Sequence, residues 1–309
     1  MERVFDGGRN PPSCAVVGLM NIEDEPALKR TADTAAVLAQ RVFIRLHIVQ
    51  LVLLTASAIA SGWNPSDAIG QRAVAITVFV LMVGALAVGL GLKLGRFDDT
   101  WFRLRAIAEN VKSAMWRFIM TPPGDASAGA RLFVDAEREI QDRFTGLTSE
   151  LAKHRQPGED ITDWMRTTQQ LPLEAKVRLY RQERVADQIA WYQQHAGHNA
   201  RMETRWQWIV FVIEFIAILY AALQAWRLCS FNLLSGLAAM GTAFVAWSQT
   251  RRHSDLANGY GVAVEDLRRI SAANAGALTD AEVERFVRDV EIAISREHSM
   301  WLARRTVSD

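Results

Sequence analysis

The stretch AVAITVFVLMVGALAVGLGL, Ala73 to Leu92, contains no charged residue and is apolar all round a helical projection. A helix in a soluble bundle keeps one polar face, and a helix that crosses a bilayer needs about 20 apolar residues in a row. The stretch therefore reads as a membrane span, and the rest of the chain is organised around it.

Just before it lies LHIVQLVLLTASAIASGW, Leu46 to Trp63, joined to it by the polar turn NPSDAIGQR. The layout then repeats. WIVFVIEFIAILYAALQAW, Trp208 to Trp226, and LLSGLAAMGTAFVAW, Leu233 to Trp247, are joined by RLCSFN. The last segment reaches a spanning length only by drawing on Leu228 to Asn232. Four buried helices of a soluble bundle are the competing reading, but the all-round apolarity of Ala73 to Leu92 argues against it. The expectation is an all-α membrane protein: two transmembrane helical hairpins, four helices, with a cytoplasmic helical region.

The 309 residues are 50% hydrophobic and 22% charged, with a mean hydropathy of +0.02. Those averages resemble a soluble chain because four apolar segments cancel against dense charge between them. Lys+Arg 35 against Asp+Glu 34 leaves a net charge of +1, so no nucleic-acid partner is expected. Two distant cysteines, Cys14 and Cys229, offer neither a disulfide framework nor a CxxC motif.

Arg41, Arg45, Lys93, Arg96, Arg201, Arg205, Arg251 and Arg252 flank the open ends of the hairpins, while each turn carries one arginine, Arg72 or Arg227. The positive-inside rule then puts both termini and the middle region in the cytoplasm of a multi-pass inner-membrane protein. Trp63, Trp208, Trp226 and Trp247 fall at the expected interfaces. MERVFDGGRNPPSC lacks the basic-then-apolar layout of a signal peptide, so it reads as a loose tail. The expected division is a flexible tail over 1–30, a first unit over 31–155 with its hairpin at about 46–94, and a second over 156–309 with its hairpin at about 207–248.

Outside the hairpins the periodicity is helical. Arg103 to Met120 ends at Thr121-Pro122-Pro123-Gly124; the apolar spacing from Phe133 to Leu151 predicts one helix closed by Gln156-Pro157-Gly158. After Leu171-Pro172 one long helix is expected to run into the third segment.

No phosphate-binding glycine loop, nucleophile elbow, HExxH helix or paired-cysteine site is present, so no enzyme, cofactor or metal is expected. His195 and His198 share a helical face, but two imidazoles alone rarely hold a metal. Glu291, Glu297 and His298 read as the charged face of an amphipathic helix. The arginines are too dispersed along the chain to assign a phosphate pocket.

Glu214 stands apart. It lies about 9 Å of helical rise inside Trp208, where an ionisable group is costly unless it faces protein or water. Gln207, Glu214, Ala217, Ala221 and Gln224 share one face. Glu214, Gln207 and Gln224 are therefore pore or gating candidates, with a protonated structural carboxyl as the alternative for Glu214. Small residues suited to close helix packing in lipid are Gly84, Gly91 and Gly95 in the second segment and Ser235 and Ala239 in the fourth. Four helices of one copy mostly bury one another, so a water path needs a homo-oligomer, and a ring of Glu214 carboxylates would favour cations.

Taken together, RVADQIAWYQQHAGHNA (Arg184 to Ala200), HSDLANGYGVAVEDLRRI and VRDVEIAISREHSMWLARR resemble a SLATT domain, a two-transmembrane domain associated with second-messenger synthases and nucleotide sensors of bacterial conflict systems. RLRAIAENVKSAMWRFIM, after its own hairpin, resembles another SLATT subgroup, so nearly the whole chain is similar to a tandem SLATT arrangement. The resemblance implies a pore-forming or membrane-disrupting effector in the lipid bilayer, used in antiviral defence and answering a nucleotide second messenger or a sensor protein. A membrane-anchored scaffold and a constitutive ion channel are the alternatives. Gln188, Trp191, Tyr192, Asn258, Tyr260 and Trp301, within the resembling motifs, are candidates for coupling a soluble signal to the membrane helices.

Overall fold

The computed structural model describes residues 20–122, 126–226, 228, 232–276 and 279–306, and leaves aside the side chains of Ala126 and of residues 296–306. Cys14 and Cys229 lie outside the described residues, as does the side chain of Trp301. All the regular secondary structure of the described residues is helical, with no strand. In chain order the helices are α1 (Ala27–Ser61), α2 (Ala68–Gly95), α3 (Phe97–Met120), α4 (Ala126–Arg143), α5 (Thr148–Lys153), α6 (Asp163–Gln169), α7 (Leu173–Tyr180), α8 (Asp187–Ala225), α9 (Leu234–Arg251), α10 (His253–Ala273) and α11 (Asp280–Thr306).

Three stretches are long and apolar enough to cross a bilayer: Ala27–Ser61, Ala68–Met120 through its α2 part, and Leu173–Ala225 through its α8 part. The outer surface of the last two is the reason. Phe79, Val80, Leu86 and Leu90 of α2, and Phe211, Phe215, Ile218 and Leu219 of α8, are at least half exposed. A continuous apolar surface of that kind is untenable in water and natural in lipid. Helix α9 is 18 residues long and is not among these three; of the stretch Leu228 to Asn232, residues 229–231 lie outside the described residues, and Leu228 and Asn232 are not helical.

The other end of the molecule is a water-facing head with a real core. Helix α3 is its axis, burying Leu104, Ile107, Val111, Met115, Trp116 and Ile119 against Phe133, Met165, Tyr180, Tyr192, Leu267, Phe286 and Ile294. Both halves of the chain thus supply one core. Trp116 sits at its centre, edge-on to Tyr180 with ring centroids 5.4 Å apart and to Trp164 at 6.1 Å. Truncating so large a buried ring typically costs about 3–5 kcal/mol.

Three details differ from the sequence reading. Helix α1 starts at Ala27, inside the stretch read as a tail, because Ala27 N–H donates to the Glu159 carbonyl at 3.2 Å and Leu28 N–H to the Asp160 carboxylate at 2.9 Å. These distant acceptors supply the cap that the local sequence lacks. The helix expected from Phe133 to Leu151 breaks at Phe144, where a short tight turn, Thr145–Leu147, intervenes before α5. The long helix into α8 does form, but Arg181–Ala186 is a π-helical turn.

In the apolar region, α9 lies against α1 as well as α8. Gly236 permits this: a Cβ there would meet Ile59 Cγ1 at 2.6 Å. Ser235 Oγ donates to the Ala58 carbonyl at 3.2 Å. At the far end, Asn232 N–H donates to the Gly62 carbonyl at 3.3 Å, so the two hairpin turns touch. The two hairpins join the head in the same way. Among the described residues, Arg96 (φ 43°) and Arg252 (φ 48°) are the non-glycine residues in the left-handed region, one between α2 and α3, the other between α9 and α10.

Candidate functional site

Two features of the head, and one of the apolar region, gather the chain's polar chemistry. The first is a buried charge cluster. The π-helical turn carries Arg184 inward from the helix that becomes α8, and α11 presents Glu291 from the other side; neither side chain is exposed to solvent. Arg184 Nε donates to Glu291 Oε1 at 3.0 Å and Nη2 donates to Oε2 at 2.7 Å. Tyr180 Oη donates to Oε1 at 2.9 Å, and Ser113 Oγ of α3 donates to Oε2 at 2.6 Å. Each carboxylate oxygen therefore accepts two hydrogen bonds, which lets a charge stay buried. Burial alone would lower Arg184, but the Glu291 charge outweighs it and holds the guanidinium above its ordinary value. Burial, reinforced by the same carboxylate, pushes the Tyr180 phenol well up, so it remains a donor.

From this cluster a chain of alternating charges runs back to the start of α1. Arg184 approaches Glu109 at 3.9 Å, Glu109 meets Arg105 at 2.9 Å, and Arg105 meets Asp33 at 3.0 Å. Lys29 then bridges Asp33 at 2.7 Å and Glu25 at 2.6 Å. The ladder ties α11, the α8 shaft, α3 and α1 into one electrostatic unit.

Glu291 corrects the sequence reading. It is wholly buried rather than part of a solvated face. A signal was available: Val283, Val287, Val290 and Ile294 mark the buried stripe of α11, and Glu291 falls on it. Arg184 opens one of the quoted motifs, but nothing local announces a π-helical turn.

The second feature is a cavity of 690 Å³ where α1, α3, α8, the end of α9 and α10 converge at the base of the apolar helices. Of the coupling candidates, Gln188, Trp191 and Tyr260 line it. Trp191 stacks on His195 with centroids 3.8 Å apart, and Tyr260 meets Trp191 at 5.3 Å and Tyr192 at 5.5 Å. Tyr192 is fully buried in the core behind them, whereas Asn258 is exposed and stands apart from the group. The polar contact between α8 and α10 is made instead by Asn199 and His253, at 2.7 Å. Burial, followed by the nearby Arg251 and His198, lowers the His253 pKa. His195 and His198 both line the cavity, and no group of metal-binding residues occurs among the described residues.

The cavity also collects Arg105, Arg201, Arg251 and Arg252, which sequence distance had made look dispersed. Arg251 lies over the Trp247 ring at 5.7 Å. Trp247, expected at an interface, is turned into this cavity.

The third feature is Glu214. It is exposed on α8 and borders a 270 Å³ groove against α9 with Ile213, Ala217, Leu237, Gly241 and Thr242. Gln207 is exposed and Gln224 half-buried on the same helix; neither borders that groove. Among the packing candidates, Gly84 meets Leu53 of α1 (a Cβ would lie 3.5 Å from Cδ1), Ala239 is half-buried, and Gly91 has nothing within 4 Å. A Cβ at Gly95 would strike the neighbouring Phe97 ring.

Comparison with known families divides the chain in two. Residues 26–177 match the family model described as SMODS and SLOG-associating 2TM effector domain 3, SLATT_3. Residues 180–301 match SMODS and SLOG-associating 2TM effector domain 1, SLATT_1. No curated protein and no solved structure matches the chain.

Proposed function

Because the chain belongs to the SLATT families of two-transmembrane effector domains and carries two such domains in tandem, we propose that it is a homo-oligomeric effector that permeabilises the membrane when a signal acts on its head. In this reading α9 completes a fourth span with the residues before it. Each half, 31–155 and 156–309, contributes one hairpin, and both termini and the head lie in the cytoplasm of a bacterium, under the basic collar of Arg41, Arg45, Arg201, Arg205 and Arg251. The chain acts without catalysis, as the output arm of an antiviral conflict system whose trigger is a nucleotide or a sensor protein.

The observation that carries the reading is the exposure of Glu214. A carboxyl facing acyl chains costs at least about 2.5 kcal/mol. A surface that carries it in a groove of apolar and small residues is suited to a second copy or to water, and a ring of copies supplies both. The charge ladder gives the head a means of holding α8 until the trigger acts.

The test is cation flux from liposomes containing the purified chain. Glu214→Leu is expected to reduce flux or its cation preference at least tenfold, and Glu214→Gln to alter preference with less loss of flux. Unchanged flux and preference in both variants would remove Glu214 from the path, and tight vesicles under every trigger tried would leave the scaffold reading in its place.

A further inference from the structure

The cavity at the base of the helices has the chemistry of a ligand site. Its 690 Å³ falls within the roughly 300–1,000 Å³ of small-molecule sites. Its lining includes the aromatic rings of Trp191, Tyr260 and Trp101, and such faces hold planar groups by stacking. Gln188, in the same lining, is 8% exposed, and its amide makes no hydrogen bond to any described residue. A primary amide offers a donor and an acceptor side by side, the pattern that pairs with a base edge. The amide keeps contact with the open cavity rather than lying sealed in the core, so it is free to meet a ligand there.

The opposite end is cationic. Arg201 and Arg251 line the cavity and make no ion pair with a described residue. Arg252 beside them has only a 4.0 Å approach to Asp255. The two carboxylates in the wall, Asp33 and Glu109, are already held by Arg105 at 3.0 and 2.9 Å. What remains for a ligand is therefore positive at one end and planar with an amide at the other. The rise along α8 from Gln188 to Arg201 is roughly 20 Å, shortened by the reach of both side chains. That span suits an extended nucleoside polyphosphate or a dinucleotide, and is too long for inorganic phosphate.

We propose that this cavity is a nucleotide-binding site, with a base stacked on one ring of the Trp191–Tyr260 pair, whose planes stand 77° apart, and read by Gln188, and with phosphates on Arg201 and Arg251. Its place explains how a ligand would act: α1, α8 and α9, which line it, run on into the apolar region, and Asp33, Arg105 and Glu109 of the charge ladder face it. The site supplies the trigger for the effector function proposed above, but binding alone is its readout. A chain that binds nucleotide yet never permeabilises a vesicle overturns the effector function and leaves this site standing.

The experiment is calorimetry and tryptophan-fluorescence quenching on the full chain in a neutral detergent, titrated with the four ribonucleoside triphosphates, the dinucleotide pApA, tripolyphosphate and a short-chain phosphatidylglycerol. A nucleotide is expected to bind at least tenfold more tightly than tripolyphosphate. Arg201→Ala, at an exposed position that leaves folding alone, weakens every nucleotide about equally and flattens the salt dependence. Gln188→Leu, near-isosteric and checked by thermal melting, narrows the difference between bases. Three results would overturn the proposal: no nucleotide binds; tripolyphosphate binds as well and Gln188→Leu changes nothing, which marks a bare phosphate site; or only the phosphatidylglycerol binds, which marks a lipid headgroup site.

Discussion

Arg184 and Glu291 form a two-pronged ion pair at 3.0 and 2.7 Å with neither side chain exposed, joining the shaft of α8 to α11 across 107 residues of chain. A pair of this kind adds little over a well-packed apolar pair, because desolvation offsets its attraction, yet breaking it strands a charge. Glu291→Ala is therefore expected to cost about 3–5 kcal/mol, and Tyr180→Phe, which removes one of four donors, about 1–2 kcal/mol. Thermal unfolding in detergent checks both. A Glu291→Ala melting point within a degree or two of the parent would mean that Arg184 finds another acceptor.

The head should lose stability as pH rises. Burial, and then the Asp160 charge, push the Glu137 carboxyl up to about 8. The folded chain therefore keeps a proton that the unfolded chain releases above about 4.5, so stability present below that pH is lost progressively up to about 8. Melting temperatures at pH 5 and pH 8 should differ in that sense, and Glu137→Gln, which stays neutral, should shrink the difference. A pH dependence identical in the variant would assign the effect elsewhere.

Arg96 and Arg252 hold left-handed backbone at the joints between hairpin and head. That conformation costs a side-chain-bearing residue about 1–2 kcal/mol, and glycine adopts it freely. Arg96 makes only an exposed 3.2 Å pair with Asp99, a contact worth little. Arg96→Gly should thus raise the melting temperature by a few degrees. A fall would show that the arginine does more at this joint than its contacts suggest.

The glycines of the apolar helices separate into two kinds. Gly236→Ala forces a methyl to within 2.6 Å of Ile59 Cγ1 and should weaken the α1–α9 contact, whereas Gly91→Ala enters open space. The first should lower stability by more than 1 kcal/mol, and the second should be neutral or gain up to about 1 kcal/mol from helix propensity. Cysteines placed on the facing sides of α1 and α9 would report the contact directly. Equal crosslinking in both variants would mean that the helices accommodate the methyl at 236 without parting.

Much of the fold was legible because its signals are local. Apolar runs marked α1, α2 and α8, the polar turns between them marked the hairpins, and the aromatic residues at 191, 192 and 260 proved to meet. What was illegible depends on partners far off in sequence. Glu291 looked like a surface charge because its donors, Ser113, Tyr180 and Arg184, lie 178, 111 and 107 residues away. The start of α1 is capped by Glu159 and Asp160, and the arginines of the cavity converge only once α3, α8 and α9 are folded together. Lys176 is another case: fully buried, it donates to the Thr121 carbonyl at 2.6 Å and the Gln169 carbonyl at 3.2 Å, closing the end of α3 from a helix 55 residues on.

The contact between Asn232 and Gly62 sits at the opposite end of the molecule from Arg184 and Glu291. A chain fastened at both ends behaves like a book strapped at spine and clasp: these contacts oppose the parting of its two hairpins. In the oligomer proposed above, an aqueous route would then run along the covers, where neighbouring copies meet, and the number of copies, rather than the bending of one, would set its width.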